Sequence, residues 1–291
     1  MVYDQPLYRP PSEGDNLIVQ ATLGCSFNQC SFCAMYKGKQ FHEKPHDQLF
    51  AEIDHLARLR PDAHRVFLAD GDAFGLSTAA LLAIADKLAA SFPDLRRISA
   101  YATPSNLLRK TPDELAALRA KRVSLVYVGI ESGSAEVLRR VSKGIGVSRL
   151  AEALGKARAA GLKISATVIL GLGGRRWAGD HAAATADLIN LAPPHYLSTL
   201  QLILPPEVDK SFRSRWEDDF EPQDDRGILT EQRLLIAGLS PPAPVIFRSN
   251  HASNCLALAG TLPRDRGRLL AEIDGALSDL QRLRPDWMRG L

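Results

Sequence analysis

Short apolar runs alternate with longer amphipathic segments along most of this chain. Leu17–Ala21, Val66–Ala69, Arg97–Tyr101, Leu125–Val128, Lys163–Leu170 and Tyr196–Leu204 are largely apolar and bounded by polar or turn-forming residues. Runs of that length read as strands buried on both faces, which is what a parallel sheet demands. Helical patterns lie between them. One spans about Pro45 to Leu59, and a second, rich in alanine and leucine, opens at Ser77 as its N-cap. A third opens at Thr111-Pro112-Asp113-Glu114, where a capping box coincides with proline at the first helical position. Six strand–helix repeats predict an α/β fold, either an open barrel or a doubly wound sheet. In both, the ligand site lies at the carboxyl ends of the strands.

The rhythm breaks after Pro205-Pro206. An acidic stretch around Glu217–Glu221, a helical pattern over Ile228–Leu239, prolines within 241–244, a polar segment Arg248–Asn254 and a final helix over about Arg264–Leu283 follow. The expected organisation is an N-terminal extension (1–16), a core (17–205) and a C-terminal, mainly helical extension (206–291) that closes the core. There is no internal repeat and no low-complexity tract.

Composition changes this picture little. The 291 residues are 45% hydrophobic and 24% charged, as in an ordinary globular protein. No apolar stretch is long enough for a membrane helix, and the first sixteen residues lack the apolar core of a secretory signal, so a cytoplasmic location and no membrane partner are expected. The net charge of +3 is too mild to demand nucleic acid. Lys37, Lys39 and Lys44 read as a solvated loop, with phosphate binding as the alternative.

The cysteines change it more. Of four, Cys25, Cys30 and Cys33 share one loop directly after the first strand, while Cys255 lies far away in sequence. In a reducing compartment such a cluster reads as a metal site and not as a disulfide framework. Three thiolates on a short loop suit three corners of a cubane iron–sulfur cluster. They also suit zinc, with His42 or His46 as fourth ligand, in a structural or interaction protein.

The loop Gly24–Cys33, with Phe32 before its last cysteine, resembles that of the radical S-adenosylmethionine (SAM) superfamily, and the resemblance spans roughly residues 17–205. It implies a partial (β/α)6 TIM barrel and a 4Fe–4S cluster on Cys25, Cys30 and Cys33. SAM would chelate the open iron and be cleaved by one electron to methionine and a 5′-deoxyadenosyl radical. An electron donor such as flavodoxin or ferredoxin is implied too. The spacing here is four then two intervening residues, one more than the common three then two, with the extra residue among Ser26–Gln29.

Further motifs fit the same resemblance. Asp70-Gly71-Asp72 follows the second strand, where the family's glycine- and carboxylate-bearing turn meets the SAM ammonium; read alone it is an Asp-Gly turn. Glu131, in Gly129–Ser134, matches a ribose-binding position of the branch containing methylthiotransferases, elongator-type enzymes and coproporphyrinogen dehydrogenases. Read alone, Ser134 is an N-cap. Gly171, in Leu170–Gly174, matches the stretch beneath the adenine, with Gly173 and Arg175 replacing a proline and a glutamate common there. In the tail, Asn250, His251 and Asn254 are candidates for the substrate side, and Cys255 reads as a packed small hydrophobe. Low charge and the lack of an RNA-binding appendage favour a small-molecule substrate over tRNA. With one spare cysteine, further clusters are not expected, and no cobalamin-binding pattern is seen.

Overall fold

In the computed structural model, which describes residues 3–217 and 219–290, the expected alternation of strands and helices is present. Met1 and Val2 of the N-terminal extension, Asp218 of the acidic stretch and Leu291 of the C-terminal extension lie outside the described residues. The chain forms two compact units. One holds the residues up to Asn28, Cys33–Val128 and Gly155–Ile164; the other holds Gln29–Phe32, Gly129–Leu154 and the residues from Ser165 on.

The first unit contains β1 (Leu17–Gln20), the short pair β2 (Thr22–Leu23) and β3 (His42–Glu43), α1 (His46–Leu59), β4 (Arg65–Ala69), α2 (Thr78–Ser91), β5 (Arg97–Ala102), α3 (Pro104–Arg109), α4 (Pro112–Ala120) and most of β6 (Val123–Glu131). The strands β1, β4, β5 and β6 are successive parallel neighbours, with Leu17 opposite Val66, Val66 opposite Ile98 and Tyr101 opposite Tyr127. Ile53 and Leu56 on α1, Ile84 and Leu88 on α2, and Leu115 and Leu118 on α4 are buried. Each such side chain contributes about 2 kcal/mol on leaving water. The caps are as expected: Ser77 Oγ accepts from Ala80 N at 3.1 Å, and Thr111 and Glu114 exchange side chain-to-backbone bonds at 3.2 and 2.6 Å. The N-terminal extension is anchored by Glu13, whose buried carboxylate accepts from Tyr127 OH at 2.5 Å and Arg97 Nη2 at 3.0 Å.

The second unit carries α5 (Ala135–Arg140), the start of α6 (Val147–Ala159), most of β7 (Lys163–Leu170), α7 (Gly174–Leu191), β8 (Tyr196–Gln201), α8 (Pro206–Ser214), α9 (Asp225–Gly238), β9 (Val245–Ser249), β10 (Leu258–Leu262) and α10 (Arg266–Ser278). Within this unit the strand order is β7-β8-β9-β10. Here β7, β8 and β9 pair in parallel, Leu170 opposite Gln201 and Tyr196 opposite Ile246, and β10 returns antiparallel to β9. Helix α9 packs between α7 and α10. No helix among the described residues is long and apolar enough to cross a membrane.

Three expectations change in detail. The sixth strand stops at Gln201, because the chain turns through Pro205 into α8. The fourth extends to Glu131, past a glycine that disguises its end. The tail holds its helices but also two strands, so the α/β rhythm continues for one more parallel strand after Pro206. Val245–Ser249 alternates buried and exposed positions, a signal hidden between a proline cluster and a polar loop.

Thr111→Ala should destabilise the protein by about 1 kcal/mol, because it leaves the first turn of α4 with an unpaired donor. Thr111→Ser should restore most of that loss. Thermal unfolding is the measurement, with an expected fall of roughly 2 °C.

Candidate active site

The cysteine loop is closed at its base by the antiparallel pair β2–β3, Leu23 opposite His42. Asn28 in this loop takes a left-handed conformation (φ +37°), which asparagine tolerates. Asn28 Nδ2 donates to Tyr36 O at 2.8 Å, and Lys37 Nζ donates to Asn28 O at 2.7 Å, which pins that turn. Lys37 stays exposed, as expected of a solvated loop, whereas the other two lysines are paired. Lys39 bridges Asp4 and Asp70 at 2.9 and 3.4 Å, and buried Lys44 pairs with Glu52 at 2.7 Å. His42 Nδ1 lies 3.3 Å from Gln40 O, and the His46 ring stacks on Phe50.

The other arm of the loop, Gln29–Phe32, is held separately. Ser31 N donates to Val141 O at 3.0 Å, and Phe32 packs against the buried cluster of Val137, Val141, Leu172, Phe212, Trp216 and Phe220. None of the four cysteines is in a disulfide; Cys25, Cys30 and Cys33 are half-buried. Among the described residues no three His, Cys, Asp or Glu side chains stand together as an ion's ligands. What fits the loop to an iron–sulfur cluster is its donor set, three unbridged soft thiols on one short segment. Cys255 is buried apart, its thiol pushed up to about 11 by burial.

The turn after β4 presents two carboxylates. Asp70 adopts φ +48°, and its Oδ2 accepts from Gly24 N at 2.9 Å. Asp72 Oδ2 accepts from the Ser26 hydroxyl. The remaining oxygens, Asp70 Oδ1 and Asp72 Oδ1, are buried with no hydrogen-bond partner. Burial raises both carboxyls; Asp72 reaches about 6 even against Ser26, Arg109 and Asn106, which lower it. Gly71 has no room for a side chain. A Cβ there would lie 2.6 Å from Tyr36 Cε2 and 2.9 Å from Cys25 Cβ, so the turn is pressed against the cysteine loop. Two unpaired buried acceptor atoms are costly unless a donor arrives, and a cationic amine is a donor of the right sign.

In the second unit, Glu131 ends β6 at φ +61°, with Lys143 Nζ 2.9 Å from Oε1. Ser134 caps α5 as expected, accepting from Val137 N at 3.3 Å. Gly171 follows β7 at φ +80°; its N–H donates to Glu231 Oε1 at 2.7 Å, and a Cβ would lie 2.8 Å from Ile228 Cδ1. Glu231 and nearby His181 were not anticipated. The available signal was a carboxylate three residues from Ile228, on the apolar face of α9.

Asn250, His251 and Asn254 lie in the loop leaving the carboxyl end of β9, which runs parallel to β8. His251 is half-buried, its Nδ1 2.9 Å from Ser253 Oγ. Asn254, the third candidate for the substrate side, is hydrogen-bonded to both neighbouring strands. Its amide donates to Thr199 O and Ser249 Oγ, both at 2.8 Å, and accepts from Gln201 N at 2.7 Å, so its hydrogen bonds are spent on joining β8 to β9.

The family model of the radical SAM superfamily matches residues 19–189, over half of the chain. The chain belongs to the radical SAM superfamily. Radical SAM enzymes use a 4Fe–4S cluster and SAM, the cofactors expected from the cysteine loop. No curated protein matches in sequence. Among solved structures, it is similar to coproporphyrinogen III oxidase (HemN) from Escherichia coli, with a TM-score of 0.58 and 18% identity over 76% of this chain and 52% of that one. Methylornithine synthase (PylB) follows with a TM-score of 0.54, 13% identity, and 93% and 74% covered. The Elp3 of the archaeon Methanocaldococcus infernus has a TM-score of 0.54, 13% identity, and 92% and 64% covered. These likenesses establish the radical SAM fold. The chain spans about half the length of the coproporphyrinogen oxidase.

The buried pair at Gly171 has opposed pH effects. Burial raises Glu231 to about 7, against the Gly171 N–H and the Gln223 amide, which lower it. Burial lowers His181 to about 4, against the Ile169 carbonyl and the Asp180 charge. A carboxyl raised from 4.5 holds its proton better when folded, so its contribution to stability falls as pH rises through about 7. An imidazole lowered from 6.5 takes its proton only on unfolding, so its contribution falls as pH drops below 6.5 toward about 4. Relative to the wild type, Glu231→Gln should therefore gain stability as pH rises from about 5 to about 7.5, and His181→Gln should lose it from about 4.5 to about 6.5. Urea unfolding across that range is the check.

Proposed function

We propose that this radical SAM enzyme cleaves S-adenosylmethionine reductively to methionine and a 5′-deoxyadenosyl radical, which takes a hydrogen atom from a small-molecule substrate. The observation that carries the reading is the Asp70–Asp72 turn. Two buried carboxylates, each with an oxygen lacking a donor, sit on a turn whose glycine is pressed against Cys25. Those acceptor oxygens ask for hydrogen-bond donors, which the SAM ammonium supplies.

The remaining assignments follow the motifs. Cys25, Cys30 and Cys33 hold the cluster, which when bound supplies the electron that breaks the S–C bond and an open iron for the amino acid end of SAM. Asp70 and Asp72 accept hydrogen bonds from the ammonium. Glu131 accepts from the ribose hydroxyls, a role suited to a carboxylate with several lone pairs. Gly171 lets the backbone approach the adenine, and Phe32 walls the cysteine loop. Asn250 and His251 face the substrate, with Asn254 holding their loop. Electrons come from a carrier such as flavodoxin or ferredoxin. The net charge of +3 supports a small molecule over tRNA as substrate.

Anaerobically reconstituted protein reduced with dithionite should release 5′-deoxyadenosine and methionine, read by chromatography, even without substrate. Asp72→Ala and Glu131→Ala should each weaken SAM binding by about tenfold or more while iron content stays unchanged, since each removes hydrogen bonds to a charged acceptor. Cys25→Ala, Cys30→Ala and Cys33→Ala should each lose the iron-dependent absorbance, and Cys255→Ala should keep it. Intact SAM in protein that carries its full iron would sink the proposal. Zinc in place of iron would reassign the loop to a structural site.

A further inference from the structure

Two buried ionisable groups have no part in the chemistry above, and both lie in the second unit. Glu231 on α9 and His181 on α7 are almost wholly withdrawn from solvent. Glu231 Oε1 accepts the Gly171 N–H at 2.7 Å, and Oε2 accepts from Gln223 Nε2 at 2.5 Å. His181 Nε2 stands 3.7 Å from Glu231 Oε1, while His181 Nδ1 is 2.7 Å from the Ser132 hydroxyl. Ser132 directly follows Glu131. Buried polar groups thus lead from the turn that ends β6 to the turn that follows β7, with a 3.7 Å gap at His181 Nε2, which has no hydrogen-bond partner among the described residues.

Such a run is costly to maintain. A carboxyl withdrawn from water loses solvation that hydrogen bonds restore only in part, whereas leucine would suit the apolar face of α9. What the carboxyl confers is direction: it fixes where the Gly171 N–H points, and with it the peptide plane at φ +80°. Ile228, one turn earlier on α9, closes the space where a side chain at position 171 would go. Helix α9 therefore sets both the identity and the orientation of the glycine turn.

We infer that Glu231, with His181, is a positioning residue for the nucleoside part of SAM, acting through Gly171 and Ser132 without touching the ligand. The inference rests on the proposed assignment of the β6 and β7 turns to ribose and adenine. It extends that assignment to two side chains outside every motif in the sequence.

The test is SAM binding to reconstituted, unreduced protein, measured by calorimetry beside melting temperature and iron content. Glu231→Leu keeps the volume and removes the acceptor; it should weaken SAM binding about tenfold, the loss of one charge-assisted hydrogen bond's alignment. Glu231→Gln keeps an acceptor for Gly171 and should recover binding to within about threefold. His181→Leu should act in the same direction and add little in the double variant, as expected for one network. Gln232→Leu is the control. Its amide, on the same helix, donates to Ser249 Oγ at 2.6 Å and Thr199 Oγ1 at 3.3 Å, away from the glycine turn. It should lower the melting temperature and leave SAM affinity within about twofold.

Glu231→Leu binding as tightly as wild type, or Gln232→Leu losing as much affinity, would overturn the inference and leave the proposed function standing. Wild type that carries its full cluster and does not bind SAM would remove both. Should Glu231→Leu fail to fold, Gln223→Leu, which removes only the Oε2 partner, should weaken binding about threefold; unchanged binding there is equally adverse.

Discussion

Parallel strands buried on both faces leave their polar backbone only one place to meet a ligand, which is where each strand stops. In this protein three of those stops share a conformation. Asp70, Glu131 and Gly171 stand at or just past the ends of β4, β6 and β7 with φ of +48°, +61° and +80°. For residues bearing a Cβ that conformation costs roughly 1–2 kcal/mol. It persists because each turn is tied from outside: the Asp70 carboxylate by Gly24 N–H, the Glu131 carboxylate by Lys143, the Gly171 N–H by Glu231. The left-handed residue bends the chain sharply, and the tie holds the bend. That combination fixes where the candidate site's turns stand.

The elements that build this frame were legible because their signals are local. Near-continuous apolar runs marked six strands, and Ser77 and Thr111 marked helix starts with residues whose caps act within four positions. The cysteine loop and the Asp70–Asp72, Glu131 and Gly171 turns were legible for a different reason, as motifs in a familiar order. What escaped was non-local. Glu13 looks like any acidic residue in a charged extension, yet its partners Arg97 and Tyr127 lie more than eighty positions away. Glu231 lies sixty positions from the amide it accepts. Strand β9 was hidden because its alternation is brief and its neighbours are turn-formers. The bonds by which Asn254 joins β8 to β9 escaped too, because their partners lie more than fifty positions away.

The C-terminal extension changes character in this light. Beyond covering strands, it reaches the glycine turn along several backbone positions. Glu221 O accepts from Arg175 N at 2.8 Å, Pro222 O accepts from Arg175 Nε at 3.2 Å, and Gln223 braces Glu231. The Arg175 guanidinium is likewise spent on the extension, at Pro222 O and the Asp224 carboxylate.

Phe32 gives the extension a second consequence. Half of the buried cluster that receives it, Phe212, Trp216 and Phe220, comes from residues after the family-matched region, with ring centroids 4.8 to 6.0 Å apart. One arm of the cysteine loop is thus seated in part on residues that a domain boundary drawn by homology would discard. A chimera that grafted the family-matched region onto another tail would have to carry residues 206–231 along with the loop, or redesign both at once. For protein engineering, the transplantable unit is the loop together with its distant seat.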